Sequence, residues 1–183
     1  MTLRSNAATH RSGAVIFSFS EAPDQVVTRL VLDRAPEMAR QLTGARYAAL
    51  AVMNERGDRL LHFFTAGADE GTRRRIGHPP RGRGVLGDLV LDPHPLRLAD
   101  VRKHSSSYGF PPGHPVMHSF LGVPIMLGRY AWGSLHLAGK TDGEFTQADQ
   151  DAMVSLAEQA ADTIRFDRRY QAKATVAQWR ASS

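Results

Sequence analysis

Hydrophobic positions along this chain recur with two different periods, and the switching between them predicts the order of elements. Val27, Val31, Met38 and Leu42 recur at helical spacing, with Leu30 and Ala35 beside them; Pro23 suits a first-turn position and Gly44 the stop. The pattern then shortens. Tyr47 to Met53 is an apolar run, Asn54 to Gly57 carries turn residues, and Leu60 to Phe64 is apolar again, which predicts a β-hairpin. Ala68 to Ile76 reads as a short helix, residues 77–84 as loop, Val85 to about Leu91 as another short helix and Leu96 to Ala99 as a short strand. A long loop from Asp100 to Met117 leads into a second hairpin, Leu121 to Met126 and Trp132 to Leu137, around Leu127-Gly-Arg-Tyr130. In its second strand Trp132, Ser134 and His136 alternate with Gly133, Leu135 and Leu137, so the two trios are expected on opposite faces.

Phe145 followed by Thr146-Gln-Ala-Asp149 makes a staple and a capping box, which starts the last helix. Its apolar stripe is Met153, Leu156, Ala157, Ala160, Ala161 and Ile164, and the pattern continues through Tyr170 toward Trp179. A helix of roughly 30 residues exceeds what one domain of this size needs. Two copies pairing through the alanine-rich sides of their terminal helices would use the excess. Residues 1 to about 20 show no sustained period and read as a loosely ordered lead-in. The element order gives an α+β fold with an antiparallel sheet and helices at the chain's ends.

Composition narrows the function classes. At 183 residues, 42% hydrophobic and 22% charged, the chain reads as one ordinary globular domain with tails. No apolar run approaches the roughly 20 residues of a membrane span, and Ala14 to Phe17 is too short for a signal-peptide core. The expected location is the cytoplasm. With no cysteine, disulfides, thiolate zinc sites, iron-sulfur clusters, a Cys nucleophile and thioether-linked bilin or haem are excluded. The net charge of +5 includes a run at Arg73, Arg74 and Arg75, with Arg81 and Arg83 following. No aromatic residues interleave with that run, so it reads as a solvated surface rather than a nucleic-acid footprint.

Motifs for chemistry are few. Gly82, Gly84 and Gly87 spell G-x-G-x-x-G, but His78-Pro-Pro-Arg81 before them does not form the strand that a dinucleotide fingerprint requires. Nucleophile-elbow, zincin, P-loop and kinase motifs are missing, so no catalytic residue is assigned and the chain is not read as an enzyme. The informative stretch is Gly109 to Ile125, which holds four prolines, two histidines and a methionine and runs straight into an apolar strand. Proline stiffens the backbone before folding and lowers the entropy cost of holding a histidine over a pocket. His114 and His118 stand four apart, but Pro115 marks at most a helix start and no third ligand follows at a convincing spacing. An inward-facing His136 is, on its own, most simply a satisfied core residue.

The stretch from about Gln25 to Ile164 resembles a GAF domain. Gly139-Lys-Thr-Asp-Gly-Glu-Phe-Thr-Gln-Ala-Asp149 is similar to the family's N-K-x-D-G-x-x-F-[ST]-x-x-D signature, with Gly for the Asn and one residue fewer before Phe145. Ala45-Arg-Tyr-Ala-Ala-Leu50, Arg83-Gly-Val-Leu-Gly87 and the His114 loop further resemble the first, haem-binding GAF domains of DevS/DosT-type sensor histidine kinases. The resemblance implies a central antiparallel sheet with the N- and C-terminal helices on one face and pocket loops and short helices on the other. It implies a sensory domain over 21–166, with 167–183 a helical extension toward a histidine-kinase or other output module. It also implies haem b with His114 as the iron ligand, Met117, Phe120 and Trp132 around it, and a diatomic gas or redox change as the signal. The distal Tyr of that class is replaced by His136. Two other readings follow from the same resemblance: a haem-free module for dimerisation or protein interaction, its pocket filled by Trp132 and Phe120, or a receptor for another small molecule such as a cyclic nucleotide.

Overall fold

The computed structural model of the chain describes residues 6–9, 15–18, 26–54, 59–76, 84–110 and 112–181, with side chains between residues 30 and 165 of those stretches. Its strands are β1 (Asn6–Thr9), β2 (Val15–Ser18), β3 (Ala45–Met53), β4 (Leu60–Ala66), β5 (Leu96–Leu98), β6 (Phe120–Leu127) and β7 (Tyr130–Lys140). They form a single sheet in the order β1-β2-β4-β3-β7-β6-β5, and every pairing is antiparallel. The helices are α1 (Val26–Thr43), α2 (Glu70–Ile76), α3 (Val85–Leu91) and α4 (Gln147–Ala181). Two short strands therefore stand where a loose lead-in was expected, and β2 hydrogen-bonds onto the β4 edge through Phe17 and Ser18. Strands this short carry too few alternations for a period to show. Pro23 lies outside the described residues.

β3 and β7 are central because both are apolar enough to be covered on two sides. On one face Leu50, Val52, Leu121, Val123, Ile125, Leu135 and Leu137 meet Leu32, Ala35 and Ala39 of α1 and Met153, Ala157, Ala160 and Ile164 of α4, all buried. The alanines let the two helix backbones lie close to the sheet and to each other. This corrects the stripe read for α1 except at Ala35: Leu30, Met38 and Leu42 are 53%, 46% and 61% exposed, and Leu32, Ala35 and Ala39 face inward. Amphipathic periodicity finds the largest apolar stripe, whereas close approach selects the smallest side chains.

Gly44 ends α1 in the left-handed region at φ +70°, its N–H donating back to the Arg40 carbonyl at 2.8 Å, a conformation that costs glycine little. At α4 the capping box is closed in both directions. Asp149 N–H donates to Thr146 Oγ1 at 3.2 Å, and Thr146 N–H donates to Asp149 Oδ2 at 2.7 Å. Phe145 beside them is 2% exposed. With 35 residues α4 is roughly 50 Å long. Among the described residues no helix is long and apolar enough to cross a membrane.

Candidate functional site

The opposite face of the sheet is covered by α3 and by the chain between β5 and β6. Val85, Leu89, Val101 and Phe120 form a smaller buried cluster there, with Leu86, Leu96, Leu98, Phe110 and Met117 packed against it. The covering loop is fastened at several points. Asp100 accepts from Arg102 N–H at 3.0 Å and starts the 3-10 turn Val101–Lys103, and Val101 N–H donates to the His118 carbonyl at 2.8 Å. Gly113 lies against α2: a Cβ there would come within 2.9 Å of Arg75 Cβ. The basic run is spent locally, since Arg73 donates to the Ala68 carbonyl, Arg74 pairs with Glu70 and Arg75 donates to Thr72 Oγ1.

Strand alternation sends Ser134 and His136 to this loop-covered face, opposite Leu135 and Leu137, as the sequence pattern predicts. His136 is 5% exposed and stacks obliquely on Phe120, with ring centroids 6.3 Å apart. Its Nε2 is 2.8 Å from Ser134 Oγ, while its Nδ1 is buried and has no hydrogen-bond partner. Burial penalises the imidazolium and holds the pKa down to about 3, so the ring is neutral at any physiological pH. Whichever partner donates between Ser134 and Nε2, one ring nitrogen is left unused within an apolar surround.

Trp132 does not join this group. The β6–β7 register shifts between Ile125 and Met126, so Gly133 faces Ile125 and Ala131 faces Met126 with Trp132 as the extra residue. Simple alternation fails at such an irregularity. Trp132 packs instead against the helix-side core with Leu61 and Leu127.

His114 is half-buried and stacks on Phe110, centroids 4.8 Å apart and planes 10° from parallel. Its Nδ1 donates to the Pro115 carbonyl at 2.8 Å, which leaves Nε2 as the nitrogen with a lone pair. Phe110 and Met117 join it to the same cluster that Phe120 joins to His136, so the structure brings His114, Met117, Phe120 and His136 around one group of apolar side chains. His118 turns away, with Nδ1 3.7 Å from Asp100 Oδ2. Among the described residues no group of three or more His, Asp or Glu side chains forms a metal site.

Strand parity places Ser134 on this face, but neither its bond to His136 nor the contact at Leu89 was foreseen. Ser134 orients His136, a role its i, i+2 position on the strand face allows. Leu89 lies on Gly122, the cross-strand neighbour of His136, so closely that a Cβ at Gly122 would fall 2.4 Å from Leu89 Cδ1. That fit between a helix and a strand far apart in sequence leaves no local signature.

The segment most characteristic of the resemblance is structural here. Lys140 pairs with Asp149, and its own N–H donates to Ser119 Oγ at 2.9 Å. Thr141 donates through Oγ1 to the Gly44 carbonyl at 3.0 Å. Gly139, where the signature has Asn, sits at φ +67°, a region that Asn and Gly tolerate better than other residues. The substitution therefore keeps the backbone path that the signature encodes.

The family model described as GAF domain matches residues 25–165. Among solved structures, the GAF domain from a phosphoenolpyruvate-protein phosphotransferase of Coxiella burnetii is 21% identical over 83% of this chain and 89% of that one, with a TM-score of 0.67. The second GAF domain of DevS from Mycobacterium smegmatis is 20% identical over 80% of this chain and 99% of that one, with a TM-score of 0.60. Free methionine-R-sulfoxide reductase from Neisseria meningitidis, solved with its substrate, is 16% identical over 83% of this chain and 96% of that one, with a TM-score of 0.61. At these identities the structural likenesses carry the fold. The match over 25–165, the antiparallel sheet between a helix layer and a loop layer, and the Lys140-to-Asp149 segment together make this chain a member of the GAF domain family.

Proposed function

We propose that this chain is a sensory module that takes its ligand on the sheet face carrying His136, beneath the loop carrying His114. The observation that carries the reading is the buried, neutral imidazole with an unused Nδ1. A residue kept for packing alone could be Leu, whereas an unused ring nitrogen in an apolar surround offers one hydrogen bond to a guest, as donor or acceptor according to the tautomer.

Haem b is the guest that the donor chemistry of His114 suits. Nδ1 is held by the Pro115 carbonyl, which fixes the tautomer and aims the lone pair of Nε2 outward from that contact, as a metal-ligating histidine needs. Bound there, haem would supply an iron that takes a diatomic gas or changes oxidation state. His114 would hold it, His136 would offer a hydrogen bond on the distal side, and Met117 and Phe120 would exclude water. Displacement of β7 would reach α4 through Lys140 and Asp149, four strand residues beyond His136, and so bias an output module. The exposed Leu30, Met38 and Leu42 on α1, beside the long α4, support a homodimer through the terminal helices.

The test is the absorption spectrum of the full chain mixed with haemin. A saturable Soret band that is lost in His114→Ala and shifted in His136→Leu is expected; no band, or one indifferent to His114, overturns the haem assignment. A second reading, a haem-free module, is favoured by Leu89 lying directly on Gly122 beside His136. If that contact persists in the bound state, the guest is smaller than a porphyrin. Calorimetry with small polar ligands, cyclic nucleotides among them, then replaces spectroscopy, with His136→Leu as the control.

A further inference from the structure

The open end of the sheet, where β3 begins, β7 ends and the loop runs into β6, carries a second candidate site. Arg46, Tyr47, His118, Ser119, Gly139 and Lys140 are among the residues lining a cleft of about 410 Å³, a volume suited to a small organic molecule. None of the residues lining it is acidic. Of the carboxylates nearby, Asp149 is committed to Lys140 and the Thr146 cap and Asp100 to Arg102 at 2.6 and 2.9 Å, while Asp142 and Glu144 stand exposed on the turn that carries Thr141 and Gly143. The Arg46 guanidinium differs. It lies 5.7 Å from the Tyr47 ring centroid, and among the described residues no carboxylate pairs with it. Its backbone is nonetheless anchored, the Arg46 carbonyl accepting from Arg40 Nε at 3.0 Å. Ser119, 5% exposed, accepts from Lys140 N–H, which leaves its hydroxyl proton to donate.

From these observations we propose that the cleft binds a small organic anion, a carboxylate or phosphate borne on a planar group. A guanidinium stacked on an aromatic ring is already oriented and only weakly hydrated, so it gives up little on meeting a carboxylate or phosphate through two parallel N–H donors. His118 and the Ser119 hydroxyl add donors from the other wall, and the Tyr47 ring offers a face to the planar group. The cleft shares no lining residue with the His136 face, so this proposal stands or falls independently of the proposed function.

The experiment titrates the full chain with phenyl phosphate, benzoate and inorganic phosphate at constant ionic strength, read by calorimetry. Saturable binding of phenyl phosphate or benzoate is expected, and whichever of the two binds more tightly assigns the anion. Arg46→Gln should weaken that binding about tenfold, and Val116→Glu, which sets a carboxylate at the cleft from an exposed loop position, should do the same without touching a buried group. His136→Leu should leave it unchanged. No saturable binding of any probe up to about 10 mM would overturn the proposal. So would binding that survives both Arg46→Gln and Val116→Glu, or inorganic phosphate binding as well as phenyl phosphate.

Discussion

The two faces of the sheet solve different problems with the same strands. On the helix side, Leu135 and Leu137 of β7 meet Ala35, Ala39, Met153 and Ala157, an aliphatic layer held by two long helices. On the loop side, Ser134 and His136 of the same strand meet Phe120 and Leu89, held by a helix of seven residues and a loop. Adjacent residues thus serve stability and, under the proposed function, reception in turn. The loop side has the smaller buried cluster and is covered by a short helix and a long loop, and local opening is expected to start there.

Substitutions that break this contrast fall in order of size. Leu135→Ala, 1% exposed on the helix side, is expected to cost about 3 to 5 kcal/mol in urea unfolding, because two long helices resist collapse into the cavity. Lys140→Met is expected to cost about 3 kcal/mol at neutral pH by leaving the buried Asp149 carboxylate without its cation. Burial raises the Asp149 pKa, but the hydrogen bonds from Lys140 and Thr146 outweigh it and hold the carboxyl below its usual 3.8. That contribution is present above pH 3.8 and is lost as pH falls through the lowered value, so the deficit of the variant should shrink in acid. Leu89→Ala should cost about 2 kcal/mol, and under the haem reading it should raise haemin uptake by clearing Gly122. Equal stability losses at Leu135 and Leu89 with no change in uptake would erase the distinction between the faces.

The smallest effect at neutral pH is also the most diagnostic. His136→Leu should change stability by under about 1 kcal/mol at pH 8, where the parent ring is neutral folded and unfolded. Between pH 6.5 and about 3 the unfolded parent binds a proton that the folded parent does not. The parent then loses about 1.4 kcal/mol per pH unit relative to the variant, so the two unfolding curves should diverge steadily in acid.

Much of this was legible in the sequence because it is periodic. The strands β3, β4, β6 and β7, the capping box at Thr146 and the opposition of Ser134 and His136 to Leu135 and Leu137 in β7 follow from spacing that side-chain direction enforces. His114, Met117, Phe120 and His136 came from the resemblance together with strand parity, and they do gather around one cluster. What escaped is what spacing does not encode. Trp132 crosses to the helix side at an irregularity one residue long, and the buried face of α1 is chosen by how close α4 lies rather than by hydrophobic strength. The cleft at Arg46 assembles from strand ends far apart in the chain.

The proposed function rests on a neutral imidazole at position 136 with one idle nitrogen on the loop side. A long-range ¹H–¹⁵N spectrum of the histidine rings at about pH 5, below the usual histidine pKa, tests this directly. The expected result is a neutral His136 ring whose Nε2 alone is hydrogen-bonded and whose signals do not titrate between pH 8 and pH 5. An imidazolium at position 136, or a hydrogen-bonded Nδ1, would contradict it.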